Sequence, residues 1–286
     1  MKSICRLLTF ALVVIGNAAN SDVTLSRVDE EFNLNQNTNP HLVIKGEIKR
    51  SDYAKALNAV KDAYVHGDIG QLFVKLDSPG GDVLEAMKIG DLVRQLKLTT
   101  IVGRGQCNSA CVFVLVAGTN RIAPSGIGIH RPFFEREYFS GLSADDAQKK
   151  YEEMMDATNS YLVEMGMAKE LIERMFRVPS NEVEELSLEE VQKWISGSPA
   201  SLDEWLIAKC ESYTTKDEAD DYSMWLAHRI NLKPGYAKYL KQKITKVDGC
   251  RMGTLANERN RVAAKLFPSV KKAKMPNNQL NEDASR

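Results

Sequence analysis

Leu72-Phe-Val-Lys-Leu-Asp-Ser-Pro-Gly-Gly81 joins a short apolar run to a proline-glycine turn, and an amphipathic segment follows at once from Asp82 to about Leu96. Val83, Ala86, Met87, Gly90 and Val93 fall on one face of that segment, which is helical spacing. The next apolar run, Thr99-Thr-Ile-Val102, reads as a second strand. A strand, a helix and a strand in immediate succession form a βαβ unit, and that crossover requires parallel strands. Upstream, Val23 to Val28 and His41 to Ile48 read as strands. Ser51-Asp52 then caps a helix with apolar positions Ala54, Leu57, Val60 and Ala63. Downstream come a helix after Ser109, a strand near Arg121 to Ala123, and another from Ile127 to His130. The alternation predicts an α/β fold with a largely parallel sheet buried between helices.

Cys107-Asn-Ser-Ala-Cys111 lies between a glycine-bearing strand and the apolar helix Val112 to Ala117. Ser109 therefore stands at a strand-to-helix corner. Serine there is commonly a helix cap, but it is also where a nucleophile is displayed. A nucleophilic serine needs a base to take its proton, donors for the developing oxyanion and a group that orients the base. His130 ends a later strand in Ile127-Gly-Ile-His-Arg-Pro132, with room for one helix and one strand between it and Ser109, and is the expected base. Ala110 at the helix start offers a free backbone amide where the helix dipole favours negative charge. Gly81 is the expected second donor, because a side chain would block approach of a carbonyl.

Asp77-Ser-Pro-Gly-Gly81, the Ser109 corner with Ala110 behind it, and Gly128-Ile-His130 before Pro132 resemble the proteolytic subunit of Clp protease, in the same order and at similar intervals. The resemblance covers about His41 to Ile195. It implies a Clp/crotonase-like spiral of ββα units over residues 22–198, serine peptidase activity on peptides or unfolded proteins without a cofactor, a Ser-His-Asp triad, and a homo-oligomer. The chain departs from the family at the third triad position. Counting back from Leu186-Ser187 puts Val183 where the family has its aspartate, which leaves Glu182 or Asn181 as the candidates to orient His130. Two rival readings follow. One is a Clp-like binding or assembly module that has lost turnover. The other is a Ser-Lys dyad, as in signal-peptide peptidases, with Lys149, Lys150 or Lys169 as base. Acyl-CoA chemistry fits an exported protein less well.

The chain of 286 residues balances 38 basic against 38 acidic residues, so nothing in its charge draws it to nucleic acid or to acidic membranes. Lys2, Arg6, the apolar run Leu7 to Gly16 and the small residues ending at Ala18 fit a secretory signal peptide over residues 1–18. The expected location is periplasmic or secreted, with an uncleaved inner-membrane anchor or peripheral membrane association as the alternative. Removing that segment takes Cys5 with it and leaves Cys107, Cys111, Cys210 and Cys250, an even number suited to an oxidising compartment. Four cysteines allow three pairings. Cys107 with Cys111 and Cys210 with Cys250 is preferred, against free buried thiols. The C-x3-C spacing lacks a matching second pair, so no metal site is expected. Ala144 to Met165 and Lys169 to Phe176 read as charged helices, and Ser187 with Glu190 forms a capping box. Residues 199–268 read as a cysteine-containing extension of short helices, and 269–286 as a disordered tail. No phosphate-binding Gly-x4-Gly-Lys-Ser/Thr motif is present, so any unfoldase would be a separate chain.

Overall fold

A computed structural model describes residues 22–27, 40–124, 126–211, 216–227 and 230–270. The expected signal peptide, Val28 at the end of the first expected strand, and residues 271–286 of the expected tail lie outside them. One sheet organises the molecule. Its strands are β1 (Asp22–Ser26), β2 (His41–Lys45), β3 (Phe73–Ser78), β4 (Thr99–Asn108), β5 (Arg121–Ile122), β6 (Ile127–Ile129) and β7 (Glu184–Glu185). They are ordered β1-β2-β3-β4-β6-β7, with β5 paired to β4. The pairs β2·β3, β3·β4, β4·β5 and β4·β6 are parallel, and only the outer strands β1 and β7 pair antiparallel. Strands buried on both faces demand continuous apolar character, and Leu42, Ile44, Val74, Leu76, Val102, Ile127 and Ile129 are all essentially inaccessible.

The crossovers are helices. α1 (Asp52–Val65) and α2 (Val83–Gln95) follow β2 and the Gly80-Gly81 turn, and α3 (Ala110–Ala117) follows β4. Every residue of α3 is buried, so it is an interior helix. Full burial of each Val, Leu or Phe there contributes about 1.5–3 kcal/mol. Its neighbour α4 (Ala144–Glu164) anchors to it through Tyr161, whose hydroxyl donates to the Phe113 carbonyl at 2.9 Å. α5 (Lys169–Arg177) and α6 (Leu188–Trp194) follow, the latter opened by the expected Ser187–Glu190 capping box. The cap of α1 differs from the expectation. Ser51 is left-handed (φ 83°) and makes no side-chain cap bond, while the buried Asp52 carboxylate accepts from Lys49 N–H at 2.8 Å.

β4 also runs further than its apolar core suggests, from Thr99 to Asn108. Leu76 pairs with Val102 but Ser78 pairs with Cys107, so Gly103 to Gln106 bulge opposite Asp77. The Asp77 carboxylate accepts from Gln106 N–H at 3.3 Å, filling space that the missing Gly105 side chain leaves free.

The C-terminal part consists of α7 (Ala200–Cys210), α8 (Lys216–Leu226) and α9 (Pro234–Leu266). In place of short helices, α9 runs unbroken for 33 residues. It crosses back onto the sheet domain, where Ala263 and Phe267 join the main core and the Arg259 guanidinium donates to the carbonyls of Gly70 (2.7 Å) and Lys97 (2.8 Å).

Candidate active site

Parallel pairing of β3, β4 and β6 brings their C-terminal ends to one edge of the sheet. Ser78–Gly81, Ser109–Ala110 and His130–Arg131 leave the sheet there, on adjacent strands. Within this cluster Ser109 has the most constrained backbone. Its φ is 55° and ψ −124°, a region that costs an L-residue about 1–3 kcal/mol. Two hydrogen bonds hold it: Ser109 N–H donates to Gly128 O at 2.9 Å, and Val112 N–H donates to Ser109 O at 3.0 Å. The side chain makes no capping bond. The hydroxyl is therefore not spent on the helix end, which separates Ser109 from an ordinary cap. A disulfide between Cys107 and Cys111, both fully buried with Cα atoms 5.2 Å apart, staples the residues on either side of the corner.

The glycine turn is packed against this corner. Gly80 (φ 110°) is so close that a Cβ on it would lie 2.6 Å from Ser109 Cβ and 3.0 Å from Ala110 N. Gly81 (φ 137°) backs onto Ile48, where a Cβ would stand 2.1 Å from the Ile48 carbonyl. Ile48 grips the turn on both sides, donating to Gly80 O at 2.7 Å and accepting from Asp82 N–H at 2.8 Å. Among the described residues, the N–H groups of Gly81 and Ala110 have no hydrogen-bond partner. Two fixed, unspent amides next to a displayed hydroxyl are what an oxyanion requires.

His130 is half-buried and stands two residues beyond Gly128, the partner of Asn108 in the β4·β6 pair. Its Nδ1 lies 2.8 Å from the Arg131 carbonyl. A carbonyl only accepts, so that contact places a proton on Nδ1 and leaves Nε2 of the neutral ring as the acceptor. No hydrogen bond joins His130 to Ser109 among the described residues. Asn181 and Glu182 are exposed, and neither side chain bonds to His130. The reason lies in the local path of the chain. Glu182 N–H closes a turn onto Pro179 O at 3.1 Å, and β7 then pairs antiparallel with β6. That register sets Glu185 against Gly128 and Glu184 against Ile129, and just before β7 the Val183 side chain lies over Gly128, where a Cβ on the glycine would meet Val183 Cγ1 at 2.5 Å. The place of the expected acid is thus apolar, and a backbone carbonyl faces Nδ1 in its stead. Beside it, Arg174, Arg177, Val178, Pro179, Glu182, Val183 and Glu184 line an open groove of about 660 Å³. Of the candidate lysines, Lys149 and Lys169 are highly exposed and face Glu153 and Glu173 one turn along their helices, and Lys150 is half-buried on α4.

Sequence reasoning missed Gly80 as the residue that touches Ser109, although the Pro-Gly-Gly run contained the signal. It also missed the linkage of Asp82 to Arg50 and Tyr138, which no motif reveals because the partners are far apart in the chain. Among the described residues, no group of three or more His, Cys, Asp or Glu side chains is arranged to hold a metal ion.

A mostly parallel sheet carrying a strained corner serine, a glycine turn against it and a histidine on the next strand defines a Clp-protease-like α/β fold. Residues 34–174 match the family model for Clp protease, which supports a peptidase class for this part of the chain. No curated protein matches the chain. The stretch from Met175 onward, including Asn181 to Val183 and the whole helical extension, lies outside the match.

Proposed function

We propose that the protein is an exported serine peptidase in which Ser109 is the nucleophile, His130 the general base, and the N–H groups of Gly81 and Ala110 the oxyanion donors. The observation that carries this reading is the strained Ser109 corner, uncapped and flanked by two unspent amides. Ser109 Oγ adds to the carbonyl carbon of a peptide while its proton passes to His130 Nε2. The oxyanion rests between the two N–H groups. Collapse expels the amine, which takes the proton from His130, and water then cleaves the acyl-enzyme by the same path. The Arg131 carbonyl fixes the imidazole tautomer in this scheme, as a carboxylate does in the usual triad.

A fluorophosphonate probe is expected to label the purified protein at one site, and Ser109→Ala to abolish labelling without loss of fold. Labelling that persists in the variant overturns the assignment. The apolar Val183 beside β6 favours a second reading, a Clp-like binding module without turnover. That reading predicts no labelling of the folded wild type and normal cellular function in Ser109→Ala. Export rests on the first 18 residues and is supported by the two disulfides, Cys107–Cys111 and Cys210–Cys250. The mass of protein recovered from a bacterial periplasm should show cleavage after Ala18; an intact Met1 there would favour the anchored form. Self-association of the sheet domain, proposed on the family match, is read by sedimentation velocity.

A further inference from the structure

The segment that follows the proposed base turns back towards the Gly80-Gly81 turn. Pro132 and Phe134 are buried, the Phe134 ring packs edge-on against Tyr151 of α4 at 6.0 Å, and a short 3-10 turn spans Arg136–Phe139. At the end of this segment the Tyr138 hydroxyl donates to Asp82 Oδ2 at 2.8 Å. The Asp82 side chain is 1% exposed, and its other oxygen already caps α2 by accepting from Glu85 N–H at 2.9 Å. Arg50 completes the cluster. Its guanidinium lies 4.4 Å from the centre of the Tyr138 ring, and it pairs with Asp82 at 3.4 Å and with Glu135 at 3.3 Å.

Asp82 is the residue directly after Gly81, and its own N–H is fixed on Ile48. A bond from Tyr138 to Asp82 therefore ties the loop that begins at His130 to the turn that carries the proposed oxyanion donor. The bond is short, buried at the acceptor and charge-assisted, the class of hydrogen bond that resists competition from water. Among the described residues, no direct hydrogen bond links His130 to Ser109 or to the glycine turn; Arg131 N–H holds the start of the loop on Val178 O at 2.9 Å, and Tyr138 ties its far end to the residue after the glycine turn.

Resting on the proposed peptidase reading, we infer that Tyr138, held by Asp82 and Arg50, is a positioning residue that sets the His130 loop against the Gly81 turn. Tyr138 touches neither Ser109 nor the site of the reacting carbonyl. It acts on catalysis through the loop alone. Tyr138→Phe keeps the ring under Arg50 and deletes only the hydroxyl that reaches Asp82. Loss of one charge-assisted hydrogen bond of this kind predicts a fall of about tenfold in the maximal rate of fluorophosphonate labelling, with the probe's reversible affinity unchanged.

The test follows two readouts on the full chain, the labelling kinetics and hydrogen exchange of residues 131–139. The inference expects a lower maximal rate, an unchanged final labelled fraction and faster exchange confined to that loop. A merely structural role would lower the labelled fraction and the melting temperature together and leave the rate constant of the folded molecules as in wild type; that result overturns the inference. Unchanged exchange in Tyr138→Phe overturns it as well. If wild type itself takes no label, the peptidase reading fails, and the exchange measurement still decides whether the latch exists.

Discussion

Gly80 shows how narrowly the candidate site is built. Its φ of 110° and the 2.6 Å separation that a Cβ would have from Ser109 Cβ leave no room for any side chain. Gly80→Ala is expected to destabilise the fold by about 1–3 kcal/mol, from positive-φ strain and forced displacement of the corner. Urea unfolding measures the first effect. Probe labelling under native conditions measures the second, and a variant that labels at the wild-type rate would show that the corner tolerates the shift. Ser109, His130, Gly81 and Ala110 could be singled out in the sequence as candidates because each sits where a strand gives way to a loop or helix, and the parallel order of β3, β4 and β6 makes such positions neighbours. Asn181 and Glu182 were not assignable that way. Their place depends on the turn at Pro179 and the antiparallel pairing of β7, a register that a two-residue strand does not announce.

At the scale of elements, α6 and the helices of the extension carry the clearest expectations. Glu190 accepts from Arg174 and closes the capping box of α6 onto Ser187, and these bonds hold its carboxyl down from 4.5 to about 2. A carboxyl depressed on folding contributes stability that is fully present above its unfolded value and is lost as pH falls through its folded one. The stability gap between wild type and Glu190→Gln should therefore be constant at neutral pH, narrow below 4.5 and close near 2. Denaturant melts across that range check it, and a gap independent of pH would remove Glu190 from the account. The Cys210–Cys250 bridge joins α7 to α9 across a separation of 40 residues. Loop-closure entropy assigns such a link about 2–4 kcal/mol. Replacing both cysteines by serine should lower stability by that amount while Cys107–Cys111 remains intact, as read by unfolding without reductant.

For the molecule as a whole, the extension is fastened to the sheet domain by a buried cation. Arg259 is 8% exposed, and burial pushes its guanidinium down to about 10, still charged at neutral pH. Arg259→Ala leaves the Gly70 and Lys97 carbonyls short of a donor beneath α9. It should cost about 3 kcal/mol and speed exchange along the second half of α9 and the turn at Asp68–Gln71. Unfolding and exchange at wild-type levels would show that Ala263 and Phe267 hold the helix without it. Patterning along the chain determined the α/β class, the strand and helix order of the first part and the three segments bearing the candidate site, because period and turn chemistry are local properties. Only the tertiary structure decided that Ser109 is strained and uncapped, that a carbonyl rather than a carboxylate faces His130, that Tyr138 reaches Asp82, and that α9 runs unbroken back to the core. Those facts depend on strand register and on contacts between residues far apart in the chain, which no local pattern encodes.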